Sequence, residues 1–261
     1  MEWFDIGVNL LDKRFEPIEV LQRAADKAVN KVCVISSDLK ESSKAQSFVE
    51  NTVSPCSVYY TAGVHPHQAD HASEQGLLKL KQFCADKSMV AIGECGLDFN
   101  RNFSTPENQL AVFEAQLKIA AENHQTVYLH ERDAFEPQIA LLKRYLPDIP
   151  SAIVHCFTGT RAQLDAYLEL GCYIGITGWV CDDKRGADLQ DAVKAIPLQR
   201  LLLETDAPYL FPKNVRPRMK NNEPCCLPHV GEKVAELTQQ SLETIARQSY
   251  QNALSAFRIK C

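Results

Sequence analysis

The chain has 261 residues, of which 45% are hydrophobic and 23% are charged, and these fractions are ordinary for a folded globular protein. Its formal net charge is −5, which excludes a generally basic surface for nucleic acid, so any such binding has to be local. The length allows one or two domains, but because α/β barrels often span about 250 residues as one unit, we expect a single domain over residues 1–261.

Short apolar runs rich in β-branched residues predict strands along the whole chain. In order they lie at 4–9, 31–36, 58–64, 89–94, 126–130, 152–156, 172–176 and 200–204. Longer amphipathic segments, in which apolar residues recur at helical spacing, predict a helix after each strand. These helices lie at 16–29, 41–51, 73–86, 106–123, 134–146, 161–170, 186–195 and 228–246.

The strands are nearly continuous apolar runs, such as KVCVIS at 31–36, rather than alternating ones. This pattern is typical of parallel sheets, in which both faces are buried. Eight strand-then-helix units favour an α/β fold of the closed (β/α)₈ TIM-barrel type, as in many metal-dependent hydrolases. A doubly wound open sheet is the alternative that the pattern leaves open.

The longest irregular stretch follows the eighth strand, at 207–227. It contains four prolines, and a loop of this length in a compact domain is usually functional. It also carries four basic residues, Lys213, Arg216, Arg218 and Lys220. They would attract nucleic acid locally, unless the stretch is an ordinary solvated loop.

The ten cysteines contain no CxxC pair, and several lie inside apolar runs. This usage is typical of reduced, buried thiols, so we expect a cytoplasmic protein. No signal peptide is evident at the N-terminus, and no run of about 18 apolar residues predicts a membrane span. We expect a monomer, because no self-associating helix or long apolar patch is evident.

Polar residues lie at the downstream ends of the predicted strands. They are Asn9, His65, Glu94, His130, His155 and, after Glu204 of the eighth strand, Asp206. In a barrel these ends converge on one rim, where active sites of the fold lie. Two imidazoles and two carboxylates, from Glu94, His130, His155 and Asp206, form a suitable ligand set for a divalent metal.

Each of these residues is weakly informative by itself, because a single histidine at a strand end is more often structural. The set is stronger, since charged groups inside a barrel are costly unless they are paired or bound to metal. We interpret His65 as a phosphate or substrate contact. Arg132 is either a phosphate clamp or part of a surface salt bridge. His67 is as consistent with such a contact as with a structural role. Asp98 either caps a turn, which we favour, or supports the ligands from behind.

At these positions the chain resembles the TatD family of metal-dependent deoxyribonucleases, in the amidohydrolase-like barrel superfamily. The matching segments are AGVHPH (62–67), AIGECGLDFNRNFSTPENQ (91–109), LHERDA (129–134), HCFTGT (155–160), YIGITGWVCDDKRG (173–186), LLLETDAPYL (201–210) and NNEPCCLPH (221–229). The resemblance implies 3′→5′ exonuclease activity on single-stranded DNA, with RNA as a further substrate, in DNA repair or nucleic-acid turnover.

The chain departs from the family at the end of the first strand. Most members carry a His-x-His pair there, whereas this chain has Gly7 and Asn9. The remaining ligand set favours Mg²⁺, with Mn²⁺ or Zn²⁺ as alternatives, and leaves one or two ions open. The resemblance implies that Asp206 is both a metal ligand and the general base, and that Glu94 bridges or orients the metal.

Two other functions remain open at this point. One is amide or ester hydrolysis, on a small molecule or on D-aminoacyl-tRNA, because similar barrels serve those reactions. The absence of the first-strand histidine pair counts against it. The other is a non-catalytic binding protein whose metal site has degraded, against which the presence of Glu94, His130, His155 and Asp206 argues.

Overall fold

The computed structural model describes residues 1–260 and contains one eight-stranded sheet in which every neighbouring pair is parallel. The strands are β1 (Trp3–Val8), β2 (Val29–Val34), β3 (Ser57–Ala62), β4 (Met89–Asp98), β5 (Val127–Arg132), β6 (Ala152–Val154), β7 (Tyr173–Ile176) and β8 (Leu201–Leu203). All eight predicted strands are therefore present and follow one another around the sheet in chain order. Strand β4 extends furthest beyond its predicted end, as far as Asp98.

A helix follows each strand, and one more ends the fold. The helices are α1 (Pro17–Ala25), α2 (Leu39–Asn51), α3 (Glu74–Phe83), α4 (Pro106–Glu122), α5 (Phe135–Tyr145), α6 (Arg161–Glu169), α7 (Ala187–Val193), α8 (Leu227–Thr238) and α9 (Leu242–Ala256). The single helix predicted at 228–246 is wrong, because the chain breaks there into α8 and α9. Gln239 ends α8 in the left-handed region, at φ 56°, and the Ser241 side chain caps α9.

The sheet closes into a barrel through the segment directly after β8. The Asn9 amide donates to the Ala207 carbonyl at 2.8 Å, and the Asp206 amide donates to the Gly7 carbonyl at 2.9 Å. These bonds join the end of β1 to the chain that leaves β8, where the regular strand pairing stops. The TIM-barrel prediction is therefore confirmed, and the open-sheet alternative is wrong.

The core has two parts, one between the strands and the helices and one inside the barrel. The inner part combines inward-facing strand residues, such as Phe4 and Tyr128, with the last turn of α9. Phe257 closes this end, with its ring centre 5.7 Å from that of Phe4 and 6.4 Å from that of Tyr128. Since α9 covers the end where the strands begin, the opposite end is left for a site.

None of the helices within residues 1–260 has both the length and the apolar character that crossing a membrane requires. Every cysteine in the same range is free.

We expect Phe257→Ala to lower the free energy of unfolding by about 3–5 kcal/mol, because it leaves a cavity between α9 and the barrel interior. Urea titration followed by circular dichroism measures the change. Leu78→Ala is the control, since Leu78 on α3 is 61% exposed and its removal should change stability by less than about 0.5 kcal/mol. Equal effects of the two substitutions would contradict the packing of Phe257, at the end of α9, into the barrel interior.

Candidate metal centre

The barrel places its chemistry-bearing side chains at one end. Glu94 lies on β4 and His130 on β5, while His65, His155 and Asp206 follow β3, β6 and β8 within three residues. Because all strands are parallel, these positions share the rim formed by the carboxyl ends of the strands. The closed barrel turns five positions that are far apart in sequence into neighbours.

The Glu94 carboxylate is the centre of the group. Its Oε1 atom lies 2.9 Å from His130 Nδ1, 3.5 Å from His65 Nε2 and 3.7 Å from His155 Nε2. Glu94 itself is only 8% exposed. A buried carboxylate is tolerated when neighbouring groups balance its charge, and three imidazoles surround this one.

Asp206 adds a second carboxylate to the same cavity. Ligand atoms of Asp206, His155 and Cys156 all lie within 4.8 Å of one another. The side-chain amide of Asn9 donates a hydrogen bond to Asp206 Oδ1 at 3.1 Å and so orients this carboxylate. Asp206 has φ 50°, a left-handed conformation that a non-glycine residue adopts only where its surroundings impose it.

The raised pKa values of His155 and His130 indicate that the site favours positive charge. Burial by itself lowers the pKa of His155, but the Glu204 and Glu94 carboxylates raise it to about 10. Burial likewise lowers the pKa of His130, whereas the Asp98 and Glu94 carboxylates raise it to about 9. The surrounding carboxylates therefore favour positive charge at these imidazoles. A divalent cation would supply that charge, and its binding would require neutral imidazole and would release protons.

One buried atom supports the fit of these residues to a metal ion. His130 Nε2 has no hydrogen-bond partner, and although Asp98 Oδ2 lies 3.4 Å away, the pair does not form a hydrogen bond. Buried polar nitrogens are rarely left unsatisfied in folded proteins. The donor set of imidazoles and carboxylates fits a divalent ion such as Mg²⁺, Mn²⁺ or Zn²⁺.

Glu204 supports the group from behind and is completely buried. Its Oε2 accepts hydrogen bonds from His155 Nδ1 at 2.6 Å and from the Tyr128 hydroxyl at 2.6 Å, and its Oε1 accepts from the Cys156 amide at 2.6 Å. A carboxylate that holds one ring nitrogen of a histidine fixes the tautomer and frees the other nitrogen for metal. Sequence reasoning placed Glu204 on the strand without recognising this role.

Gly7 explains how Tyr128 reaches the centre. A side-chain carbon at position 7 would overlap the Tyr128 hydroxyl oxygen and lie 2.6 Å from Glu204 Oε2. The space of a first-strand side chain is therefore filled by a hydroxyl group from β5. Gly7 therefore leaves room for the Tyr128 hydroxyl, and the side chain of Asn9 binds Asp206.

His67 and Asp98 also belong to the centre. His67 Nε2 lies 2.7 Å from Asp98 Oδ2, and the His67 ring packs edge-on against His65 with centres 4.2 Å apart. Asp98 also accepts from the Asn100 and Arg101 amides, so the predicted turn cap is correct but incomplete. The signal was present: Glu94, Gly96 and Asp98 alternate along β4 and therefore face the same side.

Residues predicted to bind substrate lie on the rim around this centre. Arg132 is exposed at the end of β5 and forms no ion pair with residues 1–260. Lys213, in contrast, is paired with Asp182 at 2.8 Å, so the loop 207–227 has fewer free cations than its composition indicates. Trp179 is half-buried against the core, with the Arg185 guanidinium 4.5 Å from its ring centre, as expected for a packing residue.

Comparison with known proteins extends this picture to the whole chain. The family model described as TatD related DNase matches residues 4–258. A protein of Erwinia billingiae named 3′-5′ ssDNA/RNA exonuclease TatD is 47% identical over 260 residues, which is 98% of this chain and 99% of the relative. A protein of the same name from Yersinia pseudotuberculosis is also 47% identical, over 98% of this chain and 99% of its own length.

Solved structures agree with these matches. The TatD homologue YjjV of Escherichia coli K12 has a TM-score of 0.88 and 28% identity, covering 99% of this chain and 98% of its own. A hydrolase described as a TatD family protein, from Entamoeba histolytica, has a TM-score of 0.89 and 25% identity, covering 98% of both chains.

We expect Gly7→Ala to lower the free energy of unfolding by about 1–3 kcal/mol, because the added methyl group overlaps the Tyr128 hydroxyl. The cost should fall in a Tyr128→Phe background, which removes that oxygen. Urea unfolding of the two single variants, the double variant and the wild type measures the coupling as a double-mutant cycle.

Tyr167→Phe provides the matched control for this cycle. Tyr167 is also a buried tyrosine, but its hydroxyl has no hydrogen-bond partner and does not contact Gly7. Gly7→Ala should cost as much in that background as in the wild type. If Tyr128→Phe gives no more relief than Tyr167→Phe, the proposed competition for space is wrong.

Proposed function

The chain belongs to the TatD-related DNase family, and we propose that it is a metal-dependent nuclease that removes nucleotides from the 3′ end of single-stranded DNA and RNA. The observation that carries the proposal is the cluster around Glu94, in which three imidazoles lie within 3.7 Å of one carboxylate oxygen. Full-length relatives that carry the exonuclease name support the same reaction.

Glu94, His130, His155 and Asp206 are proposed to hold the metal, with Mg²⁺ as the first choice because carboxylates supply half of the set. Mn²⁺ and Zn²⁺ are the alternatives, and one or two ions are compatible with the ligands. When bound, such an ion polarises a phosphoryl oxygen and lowers the pKa of water. The Glu204 carboxylate accepts a hydrogen bond from His155 Nδ1, so that Nε2 would be available to hold the ion.

The chain's own groups then position the reactants. Asp206 is held by the Asn9 amide and is proposed to take the proton of the attacking water as the general base. His65 lies beside Glu94 and is proposed to contact the phosphate or substrate; its 3.5 Å distance from Glu94 also suits a metal ligand. Arg132 is proposed to hold a phosphate, because its planar guanidinium can bind two phosphate oxygens at once.

The two other functions considered from the sequence receive less support. Amide or ester hydrolysis and non-catalytic binding both predict a different or dispersed ligand set. The nuclease proposal is supported by His130 and His155, which both lie within 3.7 Å of Glu94, and by Asp206, which lies beside His155. Relatives that match nearly the whole chain are named as nucleases. The proposal further describes a single-domain, monomeric enzyme of the cytoplasm.

On a 5′-labelled single strand with Mg²⁺ or Mn²⁺, we expect stepwise shortening from the 3′ end, and its loss when EDTA removes the metal. Glu94→Gln and Asp206→Asn should lower kcat by about 10²- to 10⁴-fold, the usual range for a lost acid–base or charge-stabilising group. Gel analysis of the products and metal content by mass spectrometry test both points.

Glu243→Gln is the control, because Glu243 is exposed on α9 at the opposite end of the barrel. It should leave activity and metal content unchanged. Undiminished cleavage in EDTA, or full activity of Glu94→Gln, would refute the metal-dependent mechanism. Products that shorten from the 5′ end would refute the proposed polarity.

Arg132→Ala should raise KM for oligonucleotides more than it lowers kcat. Because the substitution removes one phosphate contact, the slope of log affinity against log salt concentration should become smaller by about one. Arg132→Lys should restore part of the effect. Steady-state kinetics at several salt concentrations measure both quantities. Arg247→Ala, an exposed arginine on α9, is the matched control. Equal salt slopes for the Arg132→Ala and Arg247→Ala variants would refute a phosphate contact.

A further inference from the structure

Phe103 is 65% exposed and lies in the connection between β4 and α4. A single exposed hydrophobic residue is common on protein surfaces, so its meaning depends on what surrounds it. The connection between β4 and α4 holds Phe103 from both sides. The Asn102 side chain donates to the Phe99 carbonyl at 2.8 Å, and the buried Ser104 hydroxyl donates to the His67 carbonyl at 3.1 Å.

A chain of rings connects Phe103 to the metal centre. Its ring meets the His67 imidazole edge-on, with centres 4.8 Å apart. The His67 and His65 ring centres are 4.2 Å apart, and His65 Nε2 lies 3.5 Å from Glu94 Oε1. The His67 ring centre also lies 6.2 Å from that of His130, so a single imidazole ring separates Phe103 from a proposed metal ligand, while most of the surface of Phe103 remains open to solvent.

Two arginines accompany the ring. Arg101 and Arg132 are both exposed, and neither forms an ion pair within residues 1–260. Asp98 links their backbones to the same part of the rim, since it is in register with Arg132 and its side chain accepts from the Arg101 amide at 2.9 Å. Cations for the backbone and an aromatic ring for a base are the combination that binds single-stranded nucleic acid.

The other exposed aromatic residue of the described chain, Tyr209, is less suited to receive a base. The Arg14 guanidinium already lies over its ring, 4.6 Å from the centre. Asp12 holds this guanidinium in place with contacts of 2.7 and 2.8 Å. One face of Tyr209 is thus occupied by a fixed side chain, and Phe103 has no such cover.

We propose that Phe103 is a stacking platform for a nucleobase of the bound strand next to the scissile phosphate, and that Arg101 pairs with a flanking phosphate. The inference rests on the nuclease function proposed above and adds a binding subsite to it. Stacking uses the π face that every base presents, so this subsite tolerates all four bases and gives little sequence preference.

Binding of a fluorescein-labelled single strand to the Asp206→Asn protein, followed by anisotropy, tests the subsite without cleavage. Phe103→Ala should weaken binding by roughly 5- to 100-fold, the usual effect of removing one stacking residue. Phe103→Trp should retain the affinity. Leu78→Ala, which removes another exposed apolar side chain, on α3, should change nothing. KM measured in the otherwise wild-type enzyme repeats the comparison without the Asp206→Asn substitution.

A series of strands with a single abasic residue locates the stacked base. At one position near the 3′ end, the abasic residue should weaken binding to the protein with Phe103 but not to Phe103→Ala. If Phe103→Ala weakens binding by the same factor for the intact strand and for every abasic strand, or binds the intact strand as tightly as its parent, the stacking proposal fails. If the wild type degrades no strand and Asp206→Asn binds none, the nuclease proposal fails with it. Degradation with no effect of Phe103→Ala overturns the stacking proposal alone.

Discussion

The rest of the centre depends on one constraint, a carboxylate buried at the mouth of the barrel. Glu94 is almost inaccessible to solvent, and a charge in that position is tolerated only when other groups compensate it. Three imidazoles face one of its oxygens, and two of them have raised pKa values because carboxylates surround them. The carboxylates therefore favour positive charge at this place, which protons on the imidazoles or a bound cation can supply.

This balance is supported by groups that belong to the hydrophobic interior. Tyr128 packs in the inner core with Phe257 from α9, while its hydroxyl reaches Glu204 at the opposite end of the side chain. Glu204 in turn holds His155. Contacts between side chains therefore connect Phe257 at one end of the barrel, through Tyr128 and Glu204, to His155 at the other. Since closely packed interiors transmit strain, the stability of the fold and the geometry of the site are linked.

The rim offers local positive charge to an anionic substrate, although the protein as a whole is acidic. The net charge of −5 offers no long-range attraction, and Lys213 in the basic loop is paired with Asp182. Arg101 and Arg132 remain exposed beside the site, where short-range contacts to phosphate matter more than the total charge. An aromatic side chain beside these cations adds an attraction that does not depend on base sequence. Such a surface suits an enzyme that shortens strands of any sequence.

Apolar patterning was sufficient to predict the strands, their parallel order and the polar residues at their ends, because these features follow from local sequence and from the repeat of the fold. The prediction of one continuous helix at 228–246 was wrong because Gln239 ends α8 in the left-handed conformation, a position where glycine is the usual residue. The hydrogen bonds by which Tyr128 and Glu204 support His155 became apparent only in the folded structure. A hydroxyl fills the space beside Gly7, and a carboxylate meets a histidine 49 positions away in sequence. Contacts of this kind arise when the barrel closes and leave no periodic pattern in the chain, which is why the fold could be predicted and the side chains that support the strand-end residues could not.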